Sequence, residues 1–267
     1  KVEYVGTVKL HGTNASIIAY EDGSLSFHSK SNMLATVVSG ELKLLSDNFS
    51  FAQSMWERIS GVLEVVELAK EVGVDMYGEV EYPITISGEW CGQGVQKGVG
   101  ISKINHKSLF IFGLKFGTTT ECSKSKRIGV KYMTGVHSNE SHIYNITQFP
   151  TQEVSIDFQY PEASTEKLVL YTELVERECP VSKALGVEGE IIGEGLVWTP
   201  FLDYYNSSTE NFFKTKGKKH SVSKTKSVVA VSPEKVNSIK EFVEYAATNQ
   251  RLSQGLQETG DIDQKNI

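Results

Sequence analysis

From Val2 to Lys30 the chain runs in short stretches in which apolar and polar residues alternate, and this period of two constrains the fold more than any other feature. The first run, Val2 to Val8, ends at Lys9. The second covers Ala15 to Tyr20 and the third Ser24 to Lys30, separated by Glu21-Asp22-Gly23. An Asp-Gly pair supplies the left-handed dihedrals of a tight hairpin turn, so these runs predict antiparallel strands. Between the first two lies Lys9-Leu10-His11-Gly12-Thr13-Asn14. A strand that ends in lysine before a small turn can hold the amine rigidly at the mouth of a pocket. Gly12 lets the backbone approach a ligand closely, and Thr13 and Asn14 add short polar groups. An ordinary lysine, with a pKa of about 10.4, is a poor nucleophile at neutral pH. Desolvation or a cationic neighbour can prepare it for attack on phosphorus or carbonyl carbon. Taken alone, the six residues read first as a surface lysine before a tight turn, and the rest of the chain decides the matter.

Further along, Met33 to Asn48 is a looser stretch with helical character around Gly40 to Leu45. Phe51 to Val72 reads as a helix, with Met55, Ile59, Val62, Leu63, Val66 and Ala69 three or four apart and Gly73 as its C-cap. Val74 to Glu81 and Ile84 to Trp90 read as strands. They lead into the glycine-rich loop Cys91 to Gly100, whose spacing is not that of a Walker A phosphate cradle. Leu109 to Phe116 is apolar enough for a central strand. Residues 117 to 161 are polar and give no clear pattern. Ser164 to Glu178 predicts a helix closed by Pro180, and Ile191 to Trp198 and Asn211 to Lys216 predict strands. Ser232-Pro233-Glu234 opens a final helix with a serine cap and proline in the first turn. Strands outnumber helices and the two do not alternate regularly, so the expected class is α+β with mostly antiparallel sheet.

The 267 residues suffice for a sizeable core, and no apolar run nears the roughly 20 residues of a membrane span. Cys91, Cys122 and Cys179 are odd in number, widely spaced and free of any CxxC. That argues against a disulfide framework or a cysteine zinc site and for an intracellular, reducing compartment. The net charge of −6 argues against a nucleic-acid partner on average. Averages conceal local stripes, and Lys214, Lys216, Lys218, Lys219, His220, Lys224 and Lys226 fall in one short stretch. Such a run reads either as a solvated face or as a phosphate-binding surface.

Four features then line up in order: the strand ending in Lys9 and the His11-Gly12 turn; Gly88-Glu89-Trp90 before the glycine-rich loop; Phe112 in an apolar strand; and Glu194-Gly195 with Lys214-Thr215-Lys216. Together they could bind a nucleoside triphosphate. An aromatic face would stack the base, one carboxylate would hold the ribose and another a hydrated Mg²⁺, and alternating lysines would meet the phosphates on one strand face. This ordered set resembles the covalent nucleotidyltransferase superfamily of polynucleotide ligases and mRNA capping enzymes. Within it the chain is most similar to ATP-dependent RNA ligases of the RNA ligase 2-like group, because Lys-x-His-Gly-Thr-Asn replaces the usual KxDG. The resemblance spans about residues 1 to 230.

The resemblance implies an ATP-grasp-like ligase fold of antiparallel sheets flanked by helices around an ATP cleft. It implies an adenylyltransferase domain over residues 1–230 and the start of a helical C-terminal region over 231–267. It makes Lys9 the nucleophile that becomes lysyl-AMP, with His11 and Asn14 beside the triphosphate, Glu89 on the ribose, Phe112 on adenine, and Lys214 and Lys216 on phosphates. Glu194 would engage Mg²⁺ or Mn²⁺ through water. Lys30 stands where the family commonly has arginine, and lysine lacks the bidentate fork. Val8 stands where several relatives carry an acidic residue near the base, and Gly113 where they often carry aspartate. Glu79 is a second candidate for the ribose contact. Lys218, Lys219 and Lys224 would bind RNA bearing 5′-phosphate and 3′-hydroxyl ends, and the protein is expected to be a monomer. The start near Lys9 and the short tail after Ser232 suggest a chain trimmed at its ends or one with a different accessory region. Other readings are a DNA ligase, a GTP-using capping guanylyltransferase, and a nucleic-acid-binding module without catalysis; Phe112 could also be simple core.

Overall fold

The N-terminal alternation is realised as β1 (Val2–Lys9), β2 (Thr13–Ala19) and β3 (Leu25–Ser29), but the first strand parts from the other two. β2 and β3 pair antiparallel around the Asp22-Gly23 turn, where Gly23 has φ 81° and the Asp22 carboxylate accepts from the Ser24 N–H and hydroxyl. β1 turns away at Gly12 and enters a different sheet. The structure is a computed structural model that describes residues 1–117, 126–201 and 211–220. These residues belong to one unit, Lys1–Ser221. The expected helix from Ser232, together with Cys122, Lys224 and Lys226, lies outside the described residues.

The larger sheet adds β4 (Met33–Val38), β5 (Glu41–Leu44), β6 (Ile84–Gly92), β7 (Lys107–Phe116) and β8 (Lys126–Ile128), in the order β5-β4-β3-β2-β6-β7-β8. All these neighbours are antiparallel, and β9 (Ile143–Asn145) adds to β7 in parallel. The smaller sheet has the order β10-β1-β11-β12, all antiparallel, with β10 (Gln152–Ile156), β11 (Gly195–Pro200) and β12 (Phe213–Lys216). The protein is therefore α+β and mostly antiparallel.

Each sheet has its own core. Helices α1 (Phe51–Glu57) and α2 (Ile59–Tyr77) pack Phe51, Met55, Val62 and Val66 with Ile17, Phe27, Ile86 and Trp90 of the larger sheet. Helix α3 (Glu162–Arg177) lies on the smaller sheet, where Val175 joins Tyr4, Val8, Leu196 and Trp198. Burying each large apolar side chain contributes about 1.5–3 kcal/mol, which is what holds the two layers.

Several expectations from sequence fail for identifiable reasons. Residues around Gly40 to Leu45 are not helical: β4 and β5 form a hairpin around Ser39 and Gly40, both at positive φ. The helix from Phe51 is interrupted at Arg58 and continues to Tyr77, so Gly73 is not its cap and Val74 to Glu81 is not a strand. Gly73 lies against the Phe116 ring, whose nearest carbon a Cβ would meet at 2.8 Å; the helix ends instead at Gly78, φ 81°. Pro180 does not simply close the preceding helix; it opens α4 (Pro180–Ala184), where a proline in the first turn costs no hydrogen bond. The strand expected from Ile191 starts at Gly195, and that expected from Asn211 starts at Phe213. Within the unreadable stretch 117–161 lie β8, β9 and β10, each too short to show a period.

Candidate functional site

The site forms between the two sheets, and strand register builds its floor. β1 pairs with β11 so that Lys9 lies opposite Gly195 and Thr7 opposite Val197. β11 pairs with β12 so that Gly195 lies opposite Lys216 and Val197 opposite Lys214. Because side chains alternate, Thr7, Lys9, Val197, Thr199, Lys214 and Lys216 share one face, while Tyr4, Val8, Leu196 and Trp198 enter the core behind it. The rows climb from Lys9 and Lys216, through Thr7, Val197 and Lys214, to Thr199, four residues or about 13 Å beyond Gly195. Gly195 has φ 145° and lies against the Thr215 carbonyl, so no side chain fits between the two lysines.

The larger sheet forms the opposite wall. Asn14 faces Glu89 across β2 and β6, and Glu89 faces Phe110 across β6 and β7. A cavity of about 570 Å³ is lined by Lys9, Asn14, Lys30, Glu89, Phe112 and Lys214 among the residues predicted from sequence. That volume suits a nucleotide-sized ligand. The Gly12 N–H donates to Glu89 Oε1 at 3.0 Å, and Gln96 of the glycine-rich loop donates to the Gly12 carbonyl at 3.3 Å. The loop thus braces the Lys9 turn. Gly12 itself has no room for a Cβ, which would meet the Trp90 carbonyl and the Cys91 sulfur.

Glu194 ties together the end of the cavity at Lys9. It sits just before β11, 4% exposed, with Oε2 2.6 Å from Lys9 Nζ, Oε1 2.8 Å from Lys216 Nζ, and His11 Nδ1 3.4 Å from Oε2. Burial alone would raise its pKa, but hydrogen bonds from His11, Lys216 and Lys9 outweigh burial and hold the carboxyl well below its usual range. Glu89 behaves oppositely: burial pushes its carboxyl up, and the Gly12 N–H and the Lys9 charge offset this only in part. The two carboxyls, one per sheet, are thus driven apart by their surroundings, a pattern associated with functional sites.

His11, Glu194 and Lys216 therefore join the cavity residues through the Glu194 ion pairs. Lys218 and Lys219 do not: both are exposed, and they pair with Glu173 at 3.3 Å and Glu190 at 3.5 Å. Glu79 is exposed in the loop after α2 and is absent from the cavity wall. Sequence reasoning missed Thr7, Thr199 and Arg127, which also line the cavity. Alternation counted from Lys9 could have found Thr7; nothing in the sequence singles out Arg127 on its three-residue strand. His220, read only as part of a basic run, places its ring 6.0 Å from that of His11.

No family model matches the chain, and no curated protein matches it. Solved structures of one enzyme are similar to it. They are of Naegleria gruberi RNA ligase. A mutant with ATP and Mn is 11% identical at a TM-score of 0.46, over 82% of this chain and 51% of that one. An apo mutant is 12% identical at a TM-score of 0.49, and the ligase with PPi is 12% identical at 0.44; each match covers 82% of this chain and 50% of the other. The chain spans about half the length of these structures. At such scores the matches decide neither fold nor chemistry; the residues around Lys9 carry the reading.

Proposed function

We propose that this protein is an ATP-dependent RNA ligase that works through a covalent lysyl-AMP on Lys9. The observation that carries the proposal is the Lys9–Glu194–Lys216 arrangement at the end of a nucleotide-sized cavity. Glu194, held ionised, aims Nζ of Lys9 into the cavity rather than storing its proton. With ATP bound, the free amine of Lys9 would attack the α-phosphorus. The bond to the β-phosphate oxygen breaks, pyrophosphate leaves, and the amine proton passes to solvent. An oxygen of an RNA 5′-phosphate then attacks the same phosphorus, the P–N bond breaks, and Lys9 regains a proton. Finally the RNA 3′-hydroxyl attacks the 5′-phosphate, loses its proton, and AMP departs. The first two steps move the α-phosphorus from oxygen to nitrogen and back to oxygen, and the third exchanges one oxygen for another on the RNA 5′-phosphorus, so positioning and charge neutralisation supply most of the rate.

In this reading Phe112 stacks the base, Glu89 holds the ribose, and Asn14, Lys30, Lys214 and Lys216 meet the phosphates. No group of three or more His, Cys, Asp or Glu residues among the described residues could hold a metal ion. Both Glu194 oxygens already engage lysines, which fits Mg²⁺ or Mn²⁺ held through water, since such ions keep several waters and take phosphate oxygens. A bound ion would neutralise phosphate charge. Lys218, Lys219 and Lys224 are proposed to attract the RNA backbone, with residues 1–230 as the adenylyltransferase domain and 231–267 beginning a helical region. A reducing, intracellular compartment fits the free, buried Cys91 and Cys179, and the protein is proposed to act as a monomer.

Incubation with α-labelled ATP and Mg²⁺ should label the protein, and Lys9→Ala should abolish the label; persistent labelling of that variant sinks the assignment. A sealing assay on nicked duplexes with RNA or DNA at each side, beside circularisation of single-stranded RNA, tests the substrate. Preference for an all-DNA nick would overturn the RNA reading and leave the lysyl-AMP chemistry standing.

A further inference from the structure

The far end of the cavity, away from Lys9, holds three unassigned features. Arg127 reaches in from β8, its guanidinium carbon 5.9 Å from the Phe212 ring centroid. Its Nη1 lies 3.2 Å from where a Cβ of Gly113 would be, so it rests on β7 beside Phe112 in the space a side chain would take. No carboxylate among the described residues pairs with it, and burial alone lowers its pKa. Thr199, 5% exposed, turns a hydroxyl with no hydrogen-bond partner among the described residues, and it lines the same cavity. Phe212 directly precedes Phe213, which pairs with Trp198, so Phe212 and the Arg127 above it sit at the Thr199 end of the sheet.

The surrounding walls are Phe110, Phe112, Val130 and Ile146, which suit a flat ring better than a hydrated phosphate. Lys9, Lys30 and Lys214 supply cations nearer the reacting end. An arginine can only donate, whereas a threonine hydroxyl donates or accepts. Adenine offers such a pair one ring-nitrogen acceptor and an amino donor. Guanine offers N7 and O6, two adjacent acceptors that fit the guanidinium fork.

We infer that Arg127 and Thr199 read the edge of the purine base, and that the site accepts GTP as well as ATP because this pair can satisfy either edge. The inference rests on the nucleotide reading of the site but not on the covalent step. It also assigns the cost of each change: Arg127 serves guanine with two bonds and adenine with one, while Thr199 serves both.

The test measures equilibrium binding of ATP and of GTP by calorimetry, alongside label transfer from each α-labelled nucleotide. Wild type, Arg127→Met, Arg127→Lys and Thr199→Val are compared, with thermal melts to confirm folding. The expected result is that wild type binds both purine nucleotides within about tenfold of each other, and that Arg127→Met weakens GTP at least about tenfold more than ATP. Arg127→Lys should fall between, since it keeps charge without the fork, and Thr199→Val should weaken both nucleotides. Exclusion of GTP by wild type, or equal loss of both nucleotides in Arg127→Met, overturns the inference. If the binding pattern holds but no label transfers, the covalent reading fails and the base-reading pair stands. If neither nucleotide binds, both fall.

Discussion

The two sheets that face each other across the cavity divide the work unequally. The larger one is backed by α1, α2 and a dense core that includes Ile17, Phe27 and Trp90, and it presents the cavity with Asn14, Glu89 and the aromatic wall of Phe110 and Phe112. The smaller one carries Lys9, Lys214 and Lys216, with Glu194 at its margin, on four strands ending in a four-residue edge strand. Shape comes from the sheet with the deep core, and charge from the sheet with the short edge. The difference predicts that damage to the first is read mainly as lost stability, and damage to the second mainly as lost chemistry.

The largest effect separating the two should come from Glu194→Gln. The amide keeps the size but leaves Lys9 and Lys216 without their shared counter-charge, so lysyl-AMP formation should fall by about 10²-fold or more, while the melting temperature changes little beside that loss. A rate within threefold of wild type would break the division. On the other wall, Trp90→Ala should cost about 3–5 kcal/mol in denaturant titration, because a fully buried ring is replaced by a cavity. Its residual folded fraction should still bind nucleotide.

A subtler contrast lies in pH. The Glu194 pKa is lowered from 4.5 in the folded state, so its contribution to stability is complete above about 4.5 and is lost as pH falls below it. The Glu89 pKa is raised from 4.5, so the folded state loses stability as pH rises from about 4.5 through the higher folded value. Denaturant midpoints measured across pH 3 to 8 should therefore show Glu194→Gln removing an acid-labile component and Glu89→Gln relieving one that opposes folding at neutral pH. Parallel profiles for the two variants would contradict the opposed environments. The smallest effect belongs to Lys218→Ala and Lys219→Ala. Their exposed ion pairs with Glu173 and Glu190 should contribute no more than about 1 kcal/mol. If these lysines meet RNA, each removal should instead reduce the slope of log affinity against log salt by about one.

How much of this was readable in sequence follows from how each feature is encoded. Lys9, Glu89 and Lys216 sit at the ends of strands or in them, where alternation and neighbouring glycines mark position, and the structure brings these residues together. Phe112 could be placed in an apolar strand, yet nothing local says that one face of that strand lines a cavity. Gly73 looked like a helix cap because its true constraint, the Phe116 ring, is 43 positions away and invisible to any local window. Glu41 to Leu44 is too short to separate a strand from a helical turn by period. Arg127 was lost for the same reason, since three residues of β8 carry no pattern, and its neighbour Gly113 acquires meaning only once the strands are paired.

The strand that carries Lys214 and Lys216 has a consequence for how the gene can change. Between them Thr215 points the other way, its hydroxyl 2.7 Å from Thr172 of α3 and 3.0 Å from the Trp198 indole nitrogen. Inserting a single residue between Lys214 and Lys216 would put the two lysines on opposite faces of the strand, one toward the cavity and one toward the helix. Two inserted residues would return them to one face. Length variation inside β12 should therefore be tolerated better in even steps than in odd ones, a parity rule that an insertion series within the strand would reveal directly.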